Sequence, residues 1–263
     1  MEPNSTTPEL APANRFLIPL AIVIAGGLIA GALYYGAPHN STPNTQQVSS
    51  DIEIAKVTDK DHILGSMSAP LIIVEYSDTE CPYCKVFHNT LHALVSQYSG
   101  QLAWVYRQLP IPQLHALAMD EAEATECVAE LGGNTAFWSY LDKIFATTNS
   151  NDSLDPTELP RLAGTVGVDV KAFNDCLSSN KYEEVVKKSI EEGYKAGVRG
   201  TPTSFIIAKS PLSASKISAL NTISTDNGLS AQNLMVSSDK KTILIGGALP
   251  LDLMKKIVDV LVK

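Results

Sequence analysis

Residues 74–88 read "VEYSDTECPYCKVFH", with Cys81 and Cys84 at the point where an apolar run gives way to helical spacing. The run over residues 71–78, "LIIVEYSD", is short, rich in apolar residues and typical of a buried strand. After it, Val86, Phe87, Leu91, Leu94 and Val95 recur at helical intervals. The spacing therefore predicts strand, turn, helix, with both thiols at the turn. Cys81 then falls at the helix N-terminus, where unpaired backbone N–H groups and the positive end of the helix dipole stabilise an anion. That environment lowers a thiol pKa below its free value of about 8.5 and creates a thiolate at neutral pH. Pro82 suits the first helical position, needing no N–H and presetting φ. Cys84, one turn deeper, is expected beneath Cys81 as the resolving thiol.

A Cys-x-x-Cys pair beside a βαβ pattern reads as a redox motif, but it is also half of many zinc sites. Zinc needs four protein ligands in a structural site, or three with an open position. His88 offers a third donor, and His88 with His92 makes an i, i+4 pair. The sequence holds no second Cys-x-x-Cys, and both histidines read more simply as a polar helix face. No metal and no cofactor is expected.

Residues 16–35, "FLIPLAIVIAGGLIAGALYY", carry no charge, and about 20 apolar residues are what a helix needs to cross a bilayer. A cleavable signal peptide has an apolar region of only about 7 to 15 residues, which favours an uncleaved anchor over residues 16–36. The small triplet Ala30, Gly31, Ala32 keeps cleavage open as an alternative. Arg15 precedes the span and the next basic residue is Lys56, so residues 1–15 are expected as a cytoplasmic tail. The chain is then a single-pass protein of the cytoplasmic membrane whose body lies outside the cytoplasm. Gly27 and Gly31 form a Gly-x-x-x-Gly pattern that suits helix pairing, but small residues are common in spans, and a monomer is expected. A net charge of −8 gives no basic face and sets nucleic acid aside as a partner.

The stretch after the span is polar and rich in Pro, Asn and Ser, so residues 37–57 read as a tether to a folded domain over 58–263. Residues 102–109, "LAWVYRQL", form a second strand candidate, and residues 113–198 are helical throughout, in about four helices. Strands return at 203–208 and 242–247 before a terminal helix from about Pro250. The order is βαβ, helical insertion, ββα. The excursion over 209–241 far exceeds a hairpin loop of about two to five residues and is read with one short helix around 229–235.

Six patches in order, "VEYSDTECPYC", "QLHALA", "CVAELGGNTAFW", "FNDCLSS", "GVRGTPTSFII" and "LIGGALP", resemble the DsbA-like thiol-disulfide oxidoreductases, in particular their membrane-anchored bacterial branch. The resemblance runs from about Asp61 to the C-terminus. It implies an α/β thioredoxin fold with an inserted all-helical domain, here preceded by one transmembrane helix. It also implies Cys81 as nucleophile, Cys84 as resolving cysteine, and a cis-proline loop opposite them at Thr201 and Pro202. The long excursion departs from the family's short turn. Pro82 and Tyr83, with Thr201 and Pro202, are the residues expected to meet substrate, Thr201 by offering its backbone to an extended segment.

Glu75 lies six residues before Cys81, where thioredoxin-like proteins keep a buried acid. Burial raises a carboxylate pKa, which would let Glu75 exchange a proton with Cys84; the alternative is that strand alternation points it to solvent. Cys127 and Cys176 lie in the helical insertion. Free buried thiols would suit a cytoplasmic protein, whereas an outward location and an even cysteine count favour a structural disulfide. Such a bond closes a loop of about 50 residues, on the order of 3 to 4 kcal/mol in the chain-entropy model.

The expected function is thiol-disulfide exchange on exported, thiol-containing proteins, as an oxidase. A reductase, or less readily an isomerase, is the nearer alternative, and a non-catalytic binding or chaperone module the more distant one. A membrane redox partner, quinone-linked or electron-donating, is expected to recycle the cysteines.

Overall fold

The computed structural model describes residues 52–263. The expected tail, the span over 16–36 and residues 37–51 of the tether lie outside the described residues. Among the described residues no helix is long and apolar enough to cross a membrane.

Six strands, β1 (His62–Leu64), β2 (Leu71–Ser77), β3 (Leu102–Gln108), β4 (Thr203–Ala208), β5 (Leu234–Val236) and β6 (Thr242–Gly246), form one sheet in the order β1-β3-β2-β4-β6-β5. Helix α1 (Pro82–Gln97) connects β2 to β3, which pair in parallel; every other pairing is antiparallel. Between β3 and β4 lie α2 (Ala118–Thr147), α3 (Glu158–Thr165), α4 (Val170–Ser178) and α5 (Glu183–Lys195). Helix α6 (Ala214–Asp226) precedes β5, and α7 (Leu251–Val262) ends the chain.

Alternation along β2 divides its side chains between two apolar layers. Leu71 and Ile73 share one face with Phe87, Leu91 and Leu94 of α1 and with Met254 and Ile257 of α7. Val74 and Tyr76 join Val105, Val198 and Phe205 on the other. Both faces are covered, so β2 has no solvent side and reads as a near-continuous apolar run. The last part of the expected tether belongs to this second layer: Ile52, Ile54 and Val57 pack against it, and the carbonyl of Ala55 accepts from Arg107 at 3.0 Å. Packed chain therefore begins ahead of residue 58.

The helical block has its own core, in which Val128, Tyr140 and Ile144 of α2 meet Leu162 of α3 and Phe173 of α4. Gly133 adopts φ 75°, a left-handed conformation that glycine accepts without a steric penalty, and it breaks α2 into two helices. The half after Gly133 crosses onto α1, packing Trp138 at a tilt against Trp104 and Phe145 against His88.

The two edge strands β1 and β5, three residues each, were not anticipated. The excursion also differs from expectation. Its helix, α6, lies at Ala214–Asp226, while residues 234–235 of the expected helix fall in β5. Serine, threonine and asparagine mask the periodicity of α6, yet Leu220 is buried and Ile217 and Ile223 pack beside it. Ser213 caps this helix by accepting from the Lys216 N–H at 3.3 Å. Ala208 pairs with Leu71 and Thr203 with Tyr76, so the excursion leaves from the sheet end opposite the cysteines.

Candidate active site

Cys81 occupies the N-cap of α1, with extended backbone (φ −78°, ψ 122°) and Pro82 opening the helix. No side chain caps the first turn and no acid lies within it. The free N–H groups are thus available to the Cys81 sulfur. A hydrogen bond from the Cys84 thiol lowers the Cys81 pKa to about 6 against the opposing effect of burial, with help from the backbone N–H of Cys84, the Thr201 side chain and the backbone N–H of Tyr83. The protonated thiol donates to the Thr201 carbonyl at 3.4 Å. The Thr201–Pro202 peptide is cis, and Pro202 is buried. Cys81, Cys84 and Thr201 are therefore brought together at one end of the sheet. Pro82 is exposed, and so are Tyr83 and Val86, leaving an apolar patch on the first turn of α1.

Cys84 is fully buried beneath Cys81, and burial holds its thiol well above the ordinary range. The contrast between the two sulfurs follows from one turn of helix: Cys81, 6% exposed, meets N–H donors at the helix end, while Cys84, 0% exposed, sits deeper in the core. Alternation along β2 puts Glu75 on the face that packs under α1, and it is 0% exposed. This removes the solvent-facing alternative. Burial pushes the Glu75 carboxyl up to about 8, although the Trp104 indole N–H donates to its Oε2 at 3.0 Å. The charge of Glu75 in turn raises Cys84, so each group disfavours ionisation of the other.

Three features escaped the sequence. Trp104 holds Glu75 from β3. Asp78 accepts from the Glu80 and Ile111 N–H groups and from His115 Nδ1, each at 2.9 Å, while its own N–H points to Cys84 Sγ at 3.5 Å. Glu80 is fully buried and accepts from Thr148 Oγ1 at 2.9 Å and Ser153 N–H at 3.3 Å. The segment leading into Cys81 is thereby fastened to the loops at both ends of α2. Burial, with the nearby Glu80 adding repulsion, raises Glu121 to about 9. An acid directly after a buried strand was the available signal for Asp78; Glu121 lies in a helix with nothing to distinguish it from a surface acid.

Cys127 of α2 and Cys176 of α4 are disulfide-bonded, 49 residues apart in sequence. The polar-face reading of the histidines fails for His88. It is 3% exposed, set against Trp104 and Phe145, and shares a buried stripe with Cys84, Phe87 and Leu91. Burial lowers its pKa, with Asp142 opposing.

Glu75 gives a testable stability profile. Its folded pKa of about 8 lies above the ordinary 4.5, so between those values the folded protein keeps a proton that the unfolded chain has lost. The contribution is full below about pH 4.5 and is lost as pH rises toward 8. Glu75→Gln is expected to raise the melting temperature most near pH 8 and least near pH 4, and to slow exchange without blocking the first attack by Cys81. Parallel melting profiles for the two proteins from pH 4 to 9 would contradict this.

A sheet carrying a dithiol at a helix N-terminus, with an inserted helical block between its third and fourth strands, defines a thioredoxin-fold dithiol protein of DsbA-like architecture. The family described as Thioredoxin matches residues 57–222, and the chain belongs to it. Among solved structures, Pseudomonas aeruginosa DsbA2 is 24% identical with a TM-score of 0.55, covering 78% of this chain and 96% of its own. BdbD from Bacillus subtilis, in oxidised form, is 18% identical with a TM-score of 0.59, covering 81% of this chain and 100% of its own. Wolbachia pipientis alpha-DsbA1 is 20% identical with a TM-score of 0.58, covering 81% and 95%. These likenesses concern the fold. Among curated proteins, the Na(+)/H(+) antiporter NhaA 3 of Salinispora tropica is 33% identical over 156 residues, 59% of this chain and 23% of the antiporter. NhaA 1 of Salinispora arenicola is 29% identical over 171 residues, 65% and 25%. The chain spans about a quarter of the length of these curated relatives.

Proposed function

We propose that this chain is a protein thiol-disulfide oxidoreductase that acts as an oxidase on exported proteins. The observation that carries the reading is the asymmetry of the two thiols: Cys81 lowered to about 6 at the helix N-terminus, Cys84 raised by full burial one turn deeper. In the oxidising direction a substrate thiolate attacks Cys81 Sγ of the Cys81–Cys84 disulfide. Cys84 leaves as a thiolate and takes a proton, for which Glu75 is the nearby buried acid. A second substrate thiolate then attacks the substrate sulfur of the mixed disulfide and releases Cys81 as a stabilised thiolate. The substrate loses two electrons and gains a disulfide; the protein ends as the dithiol, to be reoxidised by a membrane redox partner.

Exposed Tyr83 and Val86 beside the sulfur, and the Thr201 main chain facing it, suit an extended peptide laid across the site. The apolar stretch over 16–36, with Arg15 ahead of it, supports a single-pass location in the cytoplasmic membrane with the catalytic domain outside. Reduction of misoxidised proteins uses the same residues in reverse and is the second reading.

Direction is decided by potential. Stabilising the Cys81 thiolate favours the reduced form, which makes the disulfide an oxidant. Equilibration with glutathione buffers is expected to give a value above about −200 mV, between the DsbA and thioredoxin extremes of about −120 and −270 mV. Thr201→Val removes a hydrogen bond to the thiolate and is expected to lower the potential by on the order of 30 mV, for a bond worth about 1.4 kcal/mol. A potential near thioredoxin's would replace the oxidase reading with the reductase one.

A further inference from the structure

Helix α1 and the second half of α2 meet at a group of donors that the redox chemistry does not use. His88 and His92 stand one turn apart on α1, and Asp142 reaches them from α2. Asp142 Oδ1 lies 2.7 Å from His88 Nε2 and 2.8 Å from His92 Nε2. One donor atom from each residue falls within 4.8 Å of the others. We propose that His88, His92 and Asp142 form a binding site for a divalent transition-metal ion of the zinc class.

The donor set fits that class. Two imidazoles and one carboxylate are ligands of borderline ions such as Zn²⁺, whereas Ca²⁺ and Mg²⁺ take oxygen ligands. Zinc bonds to histidine and carboxylate at about 2.0–2.2 Å, so an ion among these three atoms requires Asp142 Oδ1 to part from each imidazole by about half an ångström. The surroundings allow this unequally. The His88 side chain is 4% exposed and fixed, while those of His92 and Asp142 are 33% and 47% exposed and free to adjust. The imidazoles are oriented by aromatic walls: Trp104 lies 5.2 Å from each, and Phe145 4.6 Å from His88. A surface cavity of about 420 Å³ opens beside the three residues and leaves room for a water or an outside ligand in the fourth position. Lys85 also lines it, but its ammonium donates to the Thr148 carbonyl.

Binding transfers each Nε2 lone pair to the ion, so protons now shared with Asp142 move to Nδ1 or to solvent. His88 Nδ1 is buried without a hydrogen-bond partner, so the ring lacks the outer-shell lock of a tight site and moderate affinity is expected. The ion would clamp α1, which carries the cysteines, to the helical block. Occupancy would be visible at Trp104.

The test uses the full chain in detergent with Cys81 and Cys84 oxidised, so that no thiolate competes for metal. Calorimetric titration with zinc chloride is expected to show one ion per chain. Saturating zinc should raise the melting temperature, and Co²⁺ should give a visible ligand-field spectrum and quench tryptophan fluorescence. His92→Ala and Asp142→Asn should each weaken binding by more than about 10-fold, beyond the lower end of losses seen for outer-shell partners, and abolish the thermal shift while melting normally without metal. Absence of zinc binding would overturn the proposal, as would binding that both variants retain. Equal binding of Mg²⁺ or Ca²⁺ would overturn the assignment to the zinc class.

Discussion

Cys84→Ser is expected to convert Cys81 from a turnover nucleophile into a trap. The Cys81 thiolate remains, because the helix N-terminus and Thr201 that stabilise it are intact. When it attacks a substrate disulfide, the mixed disulfide forms as before, but nothing within the protein resolves it. In the unaltered chain Cys84 sits directly beneath and attacks intramolecularly, an arrangement whose effective molarity is very high. The lifetime of the adduct should lengthen by at least about a thousandfold, and protein-linked species should accumulate on non-reducing gels. The serine hydroxyl can still donate to the Cys81 sulfur, so the nucleophile should keep its lowered pKa. Cys81→Ser should form no adducts, because the remaining thiol is fully buried. Adducts through Cys84 in that variant, or equal accumulation with and without Cys84, would reverse the assigned roles.

Joint replacement of Cys127 and Cys176 by alanine should cost about 4 kcal/mol for the loop of 49 residues that their bond closes. For a domain of this size that corresponds to a fall of roughly 8 to 16 °C in melting temperature. The bond joins α2 to α4 inside the separate core of the helical block, where Cys127 is 1% exposed. The variant, once folded, should keep the Cys81 pKa and its rate of exchange. Intact stability would mean that packing of Phe173 and Tyr140 alone holds α4 in place, and loss of exchange in the folded variant would tie this bond to the chemistry.

How much of this was legible depended on the range of the interactions. The strand, turn and helix around Cys81 were readable because apolar periodicity and helix-end chemistry act within about twenty residues. The block of helices was readable for the same reason. Strands β1 and β5 were not, since three residues carry no periodicity and owe their conformation to partners on β3 and β6. Glu75 was visible as an acid in an apolar strand, but its burial depends on layers packed on both faces of the sheet. Trp104 as its partner follows from the β2–β3 register, which sets Trp104 opposite Ile73. His88 was misread as surface even though its spacing from Cys84 and Leu91 matches a buried stripe. What covers it is α2 after the turn at Gly133, and Asp142 lies 54 residues further along the chain.

The central claim is that position on one helix makes Cys81 an activated thiol and Cys84 a protected one. Its most direct test is carbamidomethylation of the fully reduced protein by iodoacetamide across pH 4 to 10, with the modified residue identified by mass spectrometry. Cys81 should react with a midpoint near pH 6, while Cys84 stays unmodified throughout the neutral range. Equal labelling of the two cysteines, or a Cys81 midpoint near the free-thiol value of about 8.5, would contradict the account.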